Sequence, residues 1–469
     1  MSQRMSQTNR NETAKLFLSL LITLGLVGAG GWWLFKQNPM GIPDATRLTQ
    51  TTQQTQKQLS AGERGLIPSE TSQQKQMGIE AIAAGNYPQA VINLEAALQA
   101  NRNDPEALIY LNNARIGEQS AYKIAVSIPI STSVNPALEI LRGIAQAQAE
   151  INQANGVQGV PLQMVIADDQ NDAGAAQQVA KALVDDPEVL AVIGHFSSGV
   201  TLATEPVYSQ GKLTLISPTS TSVKISGVSE YVFRTVPSDR FAASALARYM
   251  LEDLQKQKAA VFFNSESDYS QSLKNEFTTA VFGDGGQVIA EFDLASPSFS
   301  ALDTVEQVLQ QEVEVLMLAA NTSTLDRALQ VIVVNRRRLD LLGGDSLYNP
   351  KTLQVGGEAA ADMVVAIPWH LLAKPEADFV QASRKQWGGD VNWRTAMAYD
   401  AMQTLIAALK RRPSRQGIQQ ALMEADFTAD GATETIRFLP SGDRNQAAQL
   451  VTIQSGERSS FGYDFIPVP

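Results

Sequence analysis

Two α/β lobes, each a doubly wound parallel sheet, are what this sequence predicts for its larger C-terminal part. A transmembrane helix and a short helical hairpin are predicted ahead of them. Three observations carry the prediction. From Tyr122 onward, continuous apolar runs alternate with amphipathic stretches, as expected for parallel strands with helices on both faces. The alternation pauses after "LTLIS" and restarts at "AAVFFN", which calls for a second lobe. Near the start, an uncharged run of 20 residues, Leu16 to Phe35, matches a helix crossing about 30 Å of hydrocarbon.

That N-terminal run is bracketed by Lys15 and Lys36, with Trp32 and Trp33 at its distal end. Arg4, Arg10 and Lys15 precede it, so the positive-inside rule keeps residues 1–15 in the cytoplasm and exports the rest. An uncleaved signal anchor over 16–35 is expected. The alternative is a signal peptide cleaved near "VGA" (Val27–Ala29). Residues 36–73, rich in Gln, Thr and Ser, are expected to form a flexible linker.

Residues 74–118 change character. Apolar side chains recur at helical spacing at Ile79, Ile82 and Ala83, then at Ala90, Ile92, Leu94, Ala97 and Leu98, with "GNYPQA" as the break between. Gly78, Gly85, Tyr87, Ala90, Ala97, Leu98 and Pro105 stand where a tetratricopeptide repeat has its signature, and the segment resembles one such unit. A following helix is expected over Asp104–Ile116. Such units normally stack to bury their faces. A lone one is expected to act as a spacer, with docking of a protein partner as the alternative.

In the first lobe, "YKIAVSIPI", "PLQMVIADD", "VLAVIGH" and "LTLIS" read as strands separated by three helices. In the second, "AAVFFN", "QVIAEFDL", "VEVLMLAA" and "LDLLGGD" are strands, again with helices between. "MVVAIP", helices at Glu376–Gln386 and Thr395–Arg411, and a strand-like "AAQLVTIQSG" follow. The chain therefore crosses between lobes more than once, with junctions near Val236–Asp239, Met363–Pro368 and Ile436–Asp443. Within residues 119–469, the first lobe spans about 119–237 and 366–438, and the second about 238–365 and 439–469.

Composition excludes several functions. A net charge of −11 argues against nucleic acid, and "NRRR" (Asn335–Arg338) reads as a solvated helix end. There is no cysteine and there are only two histidines, which removes thiolate chemistry and His-rich metal sites. "ADDQND" (Ala167–Asp172) lacks the spaced ligands of a calcium loop and is assigned to capping. His195 lies close to Ser198, but no G-x-S-x-G elbow or P-loop is present. No enzyme activity, cofactor or metal is expected.

The order of "GIAQAQAEINQANGVQGVPLQMVIADDQND", "VLAVIGHFSS", "LISPTSTS", "VFRTVPSD", "FGDGGQVI", "LLGGDSLY" and "MAYDAMQTLIAAL" resembles the type I periplasmic-binding fold. It is most similar to the branched-chain amino-acid-binding proteins of ABC transporters. The resemblance implies an amino-acid ligand held between the lobes and a permease as partner. It places Ser198, Thr219 and Thr221 at ligand-contacting positions, where the Ser198 and Thr221 hydroxyls suit a carboxylate and the Thr219 carbonyl an ammonium, with Asp345 at the ammonium and Tyr269 as an aromatic that closes over the ligand. From the residues alone, the hydroxyls read first as helix caps, and Tyr269 suits a surface position. Asn321 stands where relatives tend to carry an aromatic, which implies a more polar pocket and admits a polar or small amino acid beside leucine. Trp369 and Trp393 are candidates for the cleft mouth or for packing. The anchor, linker and helical segment leave a tethered sensor or scaffold as the rival to a transport component.

Overall fold

Strands flanked by helices on both faces must be apolar along their whole length, and short Val-, Ile- and Ala-rich runs of this kind recur along the chain. The computed structural model describes residues 55–68 and 72–468. The expected membrane segment Leu16–Phe35 lies outside them. Among the described residues no helix is long and apolar enough to cross a membrane.

The chain opens with β1 (Leu59–Ser60), then α1 (Gln73–Ala83), α2 (Tyr87–Ala100) and α3 (Pro105–Ile116). The first lobe continues with β2 (Tyr122–Ile128), α4 (Val134–Gln153), β3 (Leu162–Asp168), α5 (Ala173–Asp185), β4 (Val189–Gly194), α6 (Ser198–Gln210), β5 (Thr214–Ser217) and β6 (Val232–Arg234). The second lobe holds α7 (Asp239–Arg248), β7 (Lys258–Phe263), α8 (Asp268–Gly283), β8 (Gln287–Asp293), α9 (Ala301–Leu309), β9 (Val315–Ala319), α10 (Leu325–Asn335), β10 (Asp340–Gly343) and β11 (Val364–Ile367). The chain then returns to the first lobe as α11 (Asp378–Trp387), α12 (Trp393–Arg411), α13 (Arg415–Leu422) and the ribbon β12 (Ala429–Asp430) and β13 (Thr435–Ile436). It ends in the second lobe as β14 (Gln449–Ser455) and β15 (Tyr463–Pro467).

The first sheet runs β1-β3-β2-β4-β5-β6 and the second β15-β14-β11-β10-β9-β7-β8. Both are mixed, which corrects the expectation of purely parallel sheets. β1 pairs antiparallel with β3, and β14 pairs antiparallel with both β11 and β15. The short connection between β14 and β15 makes that pair antiparallel. Helix α12 lies across α4 so closely that a Cβ on Gly143 would collide with the Thr395 carbonyl.

Part of the expected linker is not a tether. Leu59 and Ser60 extend the first sheet, and the stretch is pinned by buried side chains rather than by its own apolar residues. Asn113 donates to the carbonyls of Ala61 and Met164, 2.7 Å each. Glu106 accepts from the Leu66 N–H at 2.6 Å. A polar composition concealed this because the bonds run to the linker's backbone, which composition does not describe. In the helical segment Ile79, Ala90, Leu94 and Ala97 face inward, whereas Ile92 is 60% exposed.

Three crossings join the lobes, and buried arginines tie them together. Arg234 at the end of β6 donates Nε to Asp443 at 2.7 Å, and Arg444 pairs with Asp400 and donates to the Thr235 carbonyl at 3.1 Å.

Candidate functional site

In open parallel sheets ligands sit beyond the carboxyl ends of the strands, where loops turn into helix N-termini. Here the ends of β4 and β5 face those of β7, β9 and β10 across a hollow of about 700 Å³. The first-lobe wall includes Phe196–Val200, Thr219, Trp393 and Arg394; the second-lobe wall includes Asn264, Tyr269, Asn321 and Asp345.

Ser198 is the first residue of α6 and is buried. Its Oγ accepts from the Ser222 N–H at 3.2 Å, which ties the loop after β5 to the loop after β4 and leaves the hydroxyl proton for a ligand. The first intrahelical bond of α6 is Thr201 N to Ser197 O, so the N–H groups of Ser198, Gly199 and Val200 have no helical acceptor. The N-cap Ser197 does not take them, because its hydroxyl turns to Asn171 Oδ1 at 2.6 Å. Three open donors at the positive end of a helix suit a carboxylate. Thr219 joins the same wall, but its hydroxyl donates to the Phe196 carbonyl at 2.8 Å and positions that turn.

Thr221 does not line the hollow. It stands behind the wall, with its carbonyl accepting from the Asp239 N–H at 2.8 Å. Two residues on from Thr219, the loop has turned inward to meet the hinge.

On the second lobe, Asp345 follows β10 and starts a 3-10 turn. Burial raises its carboxyl to about 6, against the opposing pull of Arg394 and the hydroxyls of Tyr269 and Ser346. Tyr269 is on the same wall, its hydroxyl so close to Gly344 that a side chain there would collide with it. Burial, and then the charges of Asp345 and Asp239, hold that phenol well above its ordinary value. Asn321 faces the hollow and also caps its own turn. Its Oδ1 accepts from Thr324 at 2.8 Å and from Asn264 Nδ2 at 3.0 Å. Of the two tryptophans, Trp393 is on the cleft wall, whereas Trp369 is buried elsewhere and donates to Thr433 at 3.2 Å.

Arg394 and Asn264 line the hollow and Asp239 lies buried behind it, and none of the three carried a signal of this in the sequence. Asp239 opens α7 fully buried, and burial raises its carboxyl to about 7 against the hydroxyls of Ser272 and Thr221. Three buried polar atoms without a hydrogen-bond partner belong to the wall of the hollow: Tyr269 Oη, Trp393 Nε1 and Arg394 Nε. Buried polar groups are normally satisfied, so such a cluster marks a surface shaped for something polar.

The acidic run after β3 does capping and core work. Asp172 caps α5 through the Ala175 N–H at 2.8 Å, and Asp169 holds His195 Nδ1 at 2.6 Å inside the first lobe. Among the described residues no group of acids and histidines is arranged to hold a metal ion.

A profile of the family described as "Periplasmic binding protein" matches residues 121–458. The leucine-specific-binding protein of Salmonella typhimurium is 25% identical over 302 residues, covering 63% of this chain and 79% of its own. An ABC transporter substrate-binding protein of Desulfitobacterium hafniense, solved in complex with Leu, superposes with a TM-score of 0.62 at 23% identity, covering 74% of this chain and 100% of its own. A solute binding protein of Rhodopseudomonas palustris, in complex with 3,4-dihydroxy benzoic acid, has a TM-score of 0.64 at 16% identity, covering 74% of this chain and 96% of its own. This chain belongs to the periplasmic binding protein family, a family of solute-binding proteins and not of enzymes.

Proposed function

We propose that the protein captures a free amino acid between its lobes on the extracytoplasmic side of the membrane and delivers it to an ABC permease. One observation carries this reading: the open N–H groups at Ser198 and the Asp345 carboxyl face one hollow from opposite lobes. An α-amino acid presents a carboxylate and an ammonium a few ångströms apart, the complement of that pair. Ser198 and the α6 N-terminus take the carboxylate, and Asp345, flanked by Tyr269, takes the ammonium, while Thr219 holds the Phe196 turn in place. Asn321 and Asn264 make the side-chain end polar, so a polar or small amino acid fits beside a branched-chain one. The relatives named for leucine support the class of ligand.

Anchoring through Leu16–Phe35 rests on the sequence alone. A second reading, a tethered sensor or scaffold working through the tetratricopeptide-like helices, draws on Met77 and Ile92, 44% and 60% exposed on α1 and α2. Calorimetric titration of the full chain with each common L-amino acid, and with benzoate, tests the main reading. Saturable one-to-one binding of at least one amino acid is expected. Heat from benzoate alone, or from no compound, overturns it.

A further inference from the structure

Buried charges in folded proteins are paired, because an isolated one forfeits its hydration without return. Two fully buried arginines of this chain obey the rule. Arg234 binds Asp443 and the Ser222 carbonyl, and Arg444 binds Asp400 and the Thr235 carbonyl. Arg394 does not. It is 6% exposed, and among the described residues its guanidinium has neither a hydrogen bond nor an ion pair. Its plane is set by aromatic rings, with Cζ 4.3 Å from the centre of Trp393 and 6.0 Å from that of Phe196. The nearest acids do not serve it. Glu139 is held by Arg142 and by Thr395, 2.7 Å each, and Asp345 attracts it only through space from the other wall. Burial pulls the guanidinium below its ordinary value, as expected of a cation without a bonded partner. The side chain faces the hollow.

We infer that Arg394 receives a second anionic group of the ligand, so that the captured amino acid is one with a carboxylate in its side chain. This rests on the amino-acid reading above and names its class. The α6 N-terminus holds one carboxylate and Asp345 the ammonium. Arg394, on the same wall as α6, then meets the side-chain carboxylate with its fork of N–H donors. A leucine side chain closed into the cleft would leave the guanidinium buried and unpaired, which selects against it. The facing wall offers the amides of Asn264 and Asn321 beside Glu266 and Asp268, of which Asp268 is taken by Lys224 at 2.7 Å.

The test is calorimetry on the full chain at neutral pH with L-glutamate, L-aspartate, L-glutamine and L-leucine, for wild type, Arg394→Gln and Arg394→Lys. Wild type should bind one of the two acids at least tenfold tighter than glutamine or leucine. Arg394→Gln should weaken that acid at least thirtyfold and remove its preference over glutamine, with an unchanged far-ultraviolet circular dichroism spectrum to show an intact fold. Arg394→Lys should keep part of the preference. If leucine or glutamine binds wild type within tenfold of the tighter-binding acid, or if Arg394→Gln weakens every ligand alike, this inference falls while the amino-acid reading stands. If no amino acid binds, both fall.

Discussion

Replacing Asp345 by Asn removes the charge assigned to the ligand ammonium while keeping size and hydrogen-bonding shape. Deleting one partner of a buried charge pair costs about 2–5 kcal/mol, so affinity for the tightest amino acid should fall by about 30-fold to several thousandfold. Folding should not suffer. The carboxyl sits at about 6 because burial disfavours its charge, so an amide there is neutral or stabilising. pH dependence supplies an independent check. An ammonium beside Asp345 favours the ionised form, and protonation removes that partner as pH falls. Wild-type affinity should therefore weaken below pH 6, by up to about tenfold per unit, and level off on the alkaline side. Asp239, buried nearby at about 7, titrates with it, so Asp345→Asn should lose the limb below pH 6 and keep any slope near neutrality. Titration calorimetry between pH 5 and 8 reads both effects. A variant that binds within threefold of wild type, with the same acidic limb, refutes the assignment.

Asp443→Ala strands the fully buried Arg234 at the hinge and should lower unfolding stability by about 3–5 kcal/mol in denaturant melts, whereas a loss under 1 kcal/mol would mean the crossing is not held by this pair. Asn113→Ala removes four bonds, one to the linker at Ala61, two to Met164 of β3 and one to Gln148 of α4, so amide exchange should quicken over residues 58–68 and at Met164 while the second lobe stays protected; unchanged protection over 58–68 would contradict the docked linker. For Asp239 the sign runs against stability at neutral pH. With a value near 7 in the fold and an ordinary 3.8 when unfolded, the native state holds a proton that the unfolded chain has released, so stability falls as pH rises through that window. Asp239→Asn should abolish a loss on the order of 4 kcal/mol between pH 4 and 7, and an unaltered pH profile of the unfolding temperature would refute it.

The parallel strands were legible because both faces of each are buried, which writes a continuous apolar run such as "VLAVIG". Elements with weaker writing escaped. β6 has three residues, β15 ends at a proline, and β1 lies in a polar stretch whose bonds are made by distant side chains. At the site, Ser198, Thr219, Tyr269, Asn321 and Asp345 were named through family likeness, and all five meet at one hollow. Thr221 was displaced because a loop's inward turn is not recorded in its composition. Arg394 was missed because one arginine near a helix start looks like any solvated residue until its neighbours, Trp393 and Phe196, are seen to enclose it.

A crystal structure of the full chain grown with its tightest-binding amino acid tests the account at its centre. The account predicts the ligand in the cleft, with its α-carboxylate within hydrogen-bond distance of Ser198 Oγ and the first-turn N–H groups of α6 and its ammonium on Asp345. A ligand seated elsewhere, such as the smaller hollow lined by Tyr348, His370 and Phe465, or one lying in the cleft with its ammonium turned away from Asp345, would contradict it.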